Sequence, residues 1–84
     1  MLCLILIYIR ADMSNEIQII GLTIRECRLK KDWTQEDLAS ASGLHPSYIG
    51  GIERGQRNVG LINLMKIAKA LDVHPSQLFL HIDR

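Results

Sequence analysis

Apolar residues recur at the helical period through most of this chain, and polar breaks cut the pattern into about five short helices. The first covers residues 14–31. Ser14 or Asn15 caps it, and Ile17, Ile20, Ile24, Cys27 and Leu29 form an imperfect helical stripe. Gly21 weakens the N-terminal half of the pattern, and Lys30 and Lys31 suit the negative end of a helix. Trp33 covers the core between this helix and the next. A fourth helix is predicted after Gly60, with Leu61, Leu64, Ile67, Ala68 and Leu71 on its inner stripe and Lys66 and Lys69 off it. Asp72 and Val73 break that run. A short last helix then starts at His74, Pro75 and Ser76 and runs to Phe79 or beyond.

Between these lies Thr34 to Gly55, TQEDLASASGLHPSYIGGIERG. Thr34 caps a helix, with Asp37 three residues on in the return position of a capping box. Leu38, Ala39 and Ser42 follow at helical spacing, and Gly43 ends the run as a left-handed cap. Leu44 reads as a buried hinge. His45, Pro46 and Ser47 open the next helix, with proline in its favoured first position. Ile49 and Ile52 form the buried stripe of that helix, and Gly55 closes it. Two short helices, a tight turn and an apolar seam make a helix-turn-helix pattern. The triplet His-Pro-Ser opens both this helix and the last one, which reads as repeated capping chemistry.

Residues 1–9, MLCLILIYI, do not follow the helical period, being apolar without a break. The run is too short to span a bilayer and lacks the charged start and small-residue cleavage site of a secretory signal. Three readings stand open. Ile5, Ile7 and Ile9 alternate with Leu4, Leu6 and Tyr8 as in a strand; the run is a helical extension packed on a partner; or Met13 is the true first residue. If made, such a run is sticky and belongs inside a dimer. The chain thus divides into an apolar extension, 1–13, and a helix-turn-helix domain, 14–84.

Eighty-four residues make one domain with a small core, for which oligomerisation is a common source of stability. Ten basic and nine acidic side chains give a net charge of +1, which excludes a uniformly cationic nucleic-acid binder. The distribution matters more. Arg25, Arg28, Lys30 and Lys31 cluster before the motif, and Arg54 and Arg57 cluster after it. Cys3 and Cys27 match no zinc spacing and read as free thiols of an intracellular protein, so no metal or cofactor is expected. Four aromatics, Tyr8, Trp33, Tyr48 and Phe79, are too few for a single-strand stacking platform. Glu36, Asp37 and Glu53 are paired with no nucleophile or metal set, which argues against an enzyme.

A helix-turn-helix lays its second helix in the major groove, and residues near that helix's N-terminus reach the base edges. Here these are His45, Pro46, Ser47 and Tyr48, then Gly51 one turn on. Ser47 pairs with several base edges, and Tyr48 reaches a phosphate or a thymine methyl. Gly50 and Gly51 are poor helix formers, so they either admit a close approach by DNA or a neighbouring helix or merely relieve crowding. Gln35 and the free amides of its turn suit a phosphate. Arg54, Arg57 and Asn58 flank the far end. Either arginine neutralises a phosphate, and Arg57 is long enough to reach a base.

Residues 24–79 resemble the Cro and phage-repressor type of helix-turn-helix domain, the xenobiotic-response-element family. The blocks that carry the resemblance are IRECR at 24–28, TQEDLA at 34–39, SGL at 42–44, YIGGIERG at 48–55 and LMKIAKALDV at 64–73. The tract SYIGGIERGQRN is most similar to the controller proteins of restriction-modification systems. The resemblance implies an all-α, five-helix lambda-repressor-like domain. It implies that Gln35 contacts phosphate, that positions 46, 47 and 48 read the groove, and that Arg57 is used at the DNA. It also implies a buried pair of Arg28 with Glu53, which makes Glu53 a strut. Pro46 stands where many relatives carry a polar reader, and Val59 and Gly60 replace the usual proline and polar cap.

One short recognition helix reads few base pairs, so a two-fold dimer on a palindromic operator is expected, with half-sites about 34 Å apart. Leu61, Ile62, Met65, Leu78, Phe79 and Ile82 are the candidate interface residues. Of these, Ile62, Met65, Leu78, Phe79 and Ile82 are the expected interface, with Leu61 and Leu78 able to complete the monomer core instead. The reading is a cytoplasmic, nucleoid-associated, homodimeric regulator of a restriction-modification operon. Its partners are double-stranded DNA, itself and RNA polymerase, with no membrane. The alternatives are a phage-type repressor, the antitoxin of a toxin–antitoxin pair, or a protein-interaction module of the same shape. A protein begun at Met13 is expected to fold and to bind DNA; if it unfolds or becomes monomeric, the apolar run is structural.

Overall fold

The computed structural model describes residues 16–82. The apolar run, the start at Met13 and the cap at Ser14 or Asn15 lie outside the described residues. Four α-helices follow one another: α1, Glu16–Lys30; α2, Gln35–Ser42; α3, Pro46–Glu53; and α4, Leu61–Leu71. The predicted fifth helix is a single 3-10 helix, Pro75–Phe79. Its five residues make fewer than two turns at three residues per turn, and beyond it single-turn bonds continue, from Leu80 N–H to the Gln77 carbonyl and from Ile82 N–H to the Phe79 carbonyl. No strand occurs among the described residues.

The caps are the ones the sequence chemistry demands. Thr34 Oγ1 accepts from Asp37 N–H at 3.1 Å, and Asp37 Oδ2 accepts from Thr34 N–H at 2.9 Å, which closes the capping box. Gly43 takes φ 76° and ends α2, a conformation that costs an L side chain energy and glycine none. Both His-Pro-Ser triplets work alike. His45 Nδ1 accepts from Ser47 N–H and His74 Nδ1 from Ser76 N–H, each at 3.1 Å. At the last helix Gln77 Oε1 also accepts from His74 N–H.

Ile24, Leu38, Ile49, Ile52, Ile67 and Leu78 are fully enclosed, with Ala39, Leu64, Ala68 and Leu71 around them. Every described helix therefore contributes to one core. The inner face of α1 differs from the predicted stripe. It carries Ile19, Gly21, Thr23, Ile24 and Arg28, while Ile17, Ile20 and Cys27 are half-buried and Leu29 is exposed. The cause is the crossing of α1 over α3. At Gly21 a Cβ would fall on the Ile52 carbonyl oxygen, so glycine sets the contact line and rotates the helix to it. Thr23 tolerates burial because its hydroxyl donates to the Ile19 carbonyl at 2.9 Å. Leu44 is half-buried rather than a buried hinge, and Leu61, at the first position of α4, projects past the edge of the core at 70% exposure. Trp33 is half-buried against the core, with the Lys31 ammonium 5.0 Å from its ring centre.

One buried ion pair joins α1 to α3. Arg28 Nε donates to Glu53 Oε2 at 2.7 Å and Nη2 to Oε1 at 2.9 Å, while Nη1 donates to the Trp33 carbonyl. The Glu53 hydrogen bonds hold the Arg28 pKa above its ordinary value despite burial. Beside it, burial raises the Cys27 thiol pKa against the lowering field of Lys30, which keeps the thiol protonated at neutral pH.

Two substitutions test this framework by urea unfolding. Glu53→Ala strands the Arg28 charge and is expected to cost about 3–5 kcal/mol. Gly21→Ala forces α1 off α3 and is expected to cost about 1–3 kcal/mol, even though alanine is the better helix former. A Gly21→Ala protein as stable as the wild type contradicts the close crossing.

Candidate nucleic-acid interface

The outer side of α3 is built by its neighbours. At its N-terminus His45, Ser47 and, in part, Pro46 face solvent. His45 Nδ1 already accepts from Ser47 N–H, so the Ser47 hydroxyl, 2.8 Å from the same nitrogen, donates to it. Its lone pairs are left as acceptors for an outside donor. Tyr48 is half-buried, and its hydroxyl accepts from Asn63 Nδ2 of α4 at 3.1 Å. The phenol hydrogen is therefore free to donate outward.

Midway along α3, Gly50 and Gly51 have no side chains, and polar groups from elsewhere occupy the space. A Cβ on Gly50 would lie 3.0 Å from Arg54 Nη1 and 3.2 Å from Gln35 Oε1. A Cβ on Gly51 would lie 2.7 Å from Arg57 Cγ. Gly51 is thus buried under the Arg57 stem and is not the exposed contact expected from its position. What the two glycines admit is these three side chains, Gln35 from the neighbouring helix α2 and Arg54 and Arg57 from beyond the end of α3.

Gln35 opens α2 half-buried, and its amide donates to Glu53 Oε1 at 3.0 Å. It is thereby fixed to the same carboxylate that Arg28 holds. Arg54 is exposed and donates to Gln56 Oε1 at 3.0 Å. The Arg57 guanidinium carbon stands 5.6 Å from the Tyr48 ring centre, within cation–π range. Asn58 is exposed beside it. Gln35, Pro46, Ser47, Tyr48, Arg54 and Arg57 therefore belong to one surface, with Asn58 at its edge.

Sequence reasoning missed Asn63. The available signal was one amide in the otherwise apolar start of α4, LINLM. It also missed the tie from Gln35 to Glu53.

The expected dimer residues separate. Ile62, Met65 and Phe79 are 65%, 50% and 42% exposed, and Ile82 is half-buried. Leu78 is fully enclosed in the monomer core and has no surface to offer, because the 3-10 helix turns it inward against α1 and α4. Leu61, Leu64, Phe79, Ile17 and Ile20 line a cleft of about 200 Å³ that reaches Arg57 and Asn58. Among the described residues no three His, Cys, Asp or Glu side chains group as a metal site, and no helix is long and apolar enough to cross a membrane.

Comparison with known proteins agrees with this architecture. The helix-turn-helix family matches residues 24–78. The control protein C.BamHI of Bacillus amyloliquefaciens is 48% identical over 68 residues, covering 79% of this chain and 84% of that protein. The crystal structure of the restriction-modification controller protein C.AhdI of Aeromonas hydrophila superposes with a TM-score of 0.74 at 52% identity, covering 75% of this chain and 96% of that one. The controller protein C.Esp1396I, solved as a tetramer in complex with its natural 35-base-pair operator, superposes with a TM-score of 0.71 at 41% identity, covering 76% of this chain and 84% of that one. The chain belongs to the helix-turn-helix family and is similar to the controller proteins of restriction-modification systems.

Proposed function

We propose that this protein is a homodimeric, sequence-specific transcription regulator that binds double-stranded operator DNA and controls its own restriction-modification operon. The observation that carries the reading is the convergence of Gln35, Arg54 and Arg57 on the bare middle of α3, whose N-terminal turn stays open. This arrangement divides the work. Gln35 and the amides opening α2 hold one phosphate, and Arg54 neutralises another. Ser47, Tyr48 and Arg57 face the groove. Ser47 accepts from a base amino group, and Pro46 packs without donating. C.Esp1396I bound to its operator supports the partner class.

The homodimer rests on Ile62, Met65 and Phe79, with the half-buried Ile82 at their edge. Large apolar side chains as exposed as the first three on a small domain signify a contact surface. A palindromic operator matches the two-fold axis of such a pair. Sitting at its own promoter in the cytoplasm, on the nucleoid, the dimer meets RNA polymerase there. The chemistry is recognition and not catalysis.

An electrophoretic shift assay with DNA from upstream of the gene tests the reading. A palindromic site is expected to shift at moderate salt and to lose affinity steeply as salt rises. No shift at any such site sinks it. Arg57→Ala is expected to weaken specific binding by about 1–3 kcal/mol if the guanidinium reads a base, while a uniform loss across sequences marks a phosphate contact. Ile62→Asp is expected to give a folded monomer in sedimentation with weakened operator binding; a dimer of unchanged strength moves the interface elsewhere.

A further inference from the structure

We infer that Gly51 and Asn63 are specificity-determining positioning residues. Together with Tyr48 they form a cradle that presents Arg57 to the DNA in one pre-ordered pose. The inference rests on the reading of the protein as an operator-binding regulator.

Arg57 belongs to the loop after α3 and is exposed. A long, free side chain there would sample many rotamers and lose that freedom on binding. Two contacts restrict it. Its stem lies across Gly51, where a Cβ would stand 2.7 Å from Cγ and 3.7 Å from both Cβ and Cδ of Arg57. The three nearest side-chain or distant backbone atoms to that position all belong to Arg57, so the stem of Arg57 is what fills the slot at Gly51. Further out, the guanidinium stands over the Tyr48 ring at 5.6 Å.

Tyr48 is in turn held from behind. Asn63 Nδ2 on α4 donates to its hydroxyl, which ties the ring to a helix outside the helix-turn-helix. The order of support therefore runs from α4 through Asn63 and Tyr48 to Arg57, with Gly51 as the floor. A planar guanidinium fixed at both stem and head reads a base edge or phosphate with little left to order. Asn63 touches no DNA in this scheme; it acts through Tyr48.

Gly51 takes ordinary helical backbone angles, since it is absent from the positive-φ positions. Alanine therefore suits α3 better than glycine does, and the only clash falls on a surface side chain. This separates positioning from folding. The Gly51→Ala protein is expected to melt at or above the wild-type temperature, yet to lose about tenfold in affinity for the operator and little for unrelated DNA. In an Arg57→Ala background the same substitution is expected to change operator affinity less than about twofold. Asn63→Ala is expected to narrow the operator preference ratio, and to do nothing further in a Tyr48→Phe background.

The assay is fluorescence anisotropy with the operator duplex and a scrambled duplex, alongside thermal melts. Full discrimination by Gly51→Ala overturns the cradle, as does an undiminished loss when Arg57 is already gone. Failure of the wild-type protein to prefer any operator is a different result. It overturns the regulator reading, and this inference with it.

Discussion

The carboxylate of Glu53 is the point on which the other parts depend. It is buried at the end of α3, its side chain 2% exposed, and a buried unpaired carboxylate is untenable. Arg28 meets it with two parallel hydrogen bonds, and Gln35 supplies a third. The same guanidinium reaches the Trp33 carbonyl in the turn between α1 and α2. One anion therefore fixes the end of α1, the start of α2 and the end of α3 in a single cluster. The pair adds little net stability by its own Coulomb energy, given the cost of taking both charges out of water. What it adds is registry, because a displaced α3 leaves a charge unpaired.

That registry explains why short helices suffice. α2 and α3 have eight residues each and would not hold as isolated peptides. Caps at Thr34 and His45 define where they begin, and burial of Leu38, Ile49 and Ile52 holds them in place. Their outer surface is then free to carry function. α3 gives up side chains at Gly50 and Gly51, and the gap is filled by Gln35, Arg54 and Arg57. The exposed working face is thus assembled from three elements, although it lies over one helix.

Much of this was legible in the residues. Capping boxes, a left-handed glycine and proline at a first helical position are local chemistry, and they set the boundaries of α2 and α3 closely. The Arg28–Glu53 pair was implied by the family resemblance. Four things were not legible. The rotation of α1 depends on Gly21 meeting the Ile52 carbonyl, a contact between residues distant in sequence that a helical stripe does not encode. Leu61 and Leu78 share apolar character, yet one projects into solvent and the other fills the core, because helix ends depart from the stripe that mid-helix positions obey. The burial of Gly51 follows from a loop side chain folding back, which no periodicity records. Asn63 escaped for the same reason: its partner, Tyr48, is 15 residues away on another helix.

The central claim is that the side of α3 bounded by Gln35 and Arg57 is the surface that meets DNA. Amide chemical-shift mapping of the labelled protein, titrated with the duplex from upstream of its own gene, addresses it directly. The account predicts that the large shifts fall on Gln35 and Glu36, on His45, Ser47 and Tyr48, and on residues 54–58, with smaller ones relayed to Asn63. Shifts confined to Ile62, Met65 and Phe79, with α3 silent, would contradict it.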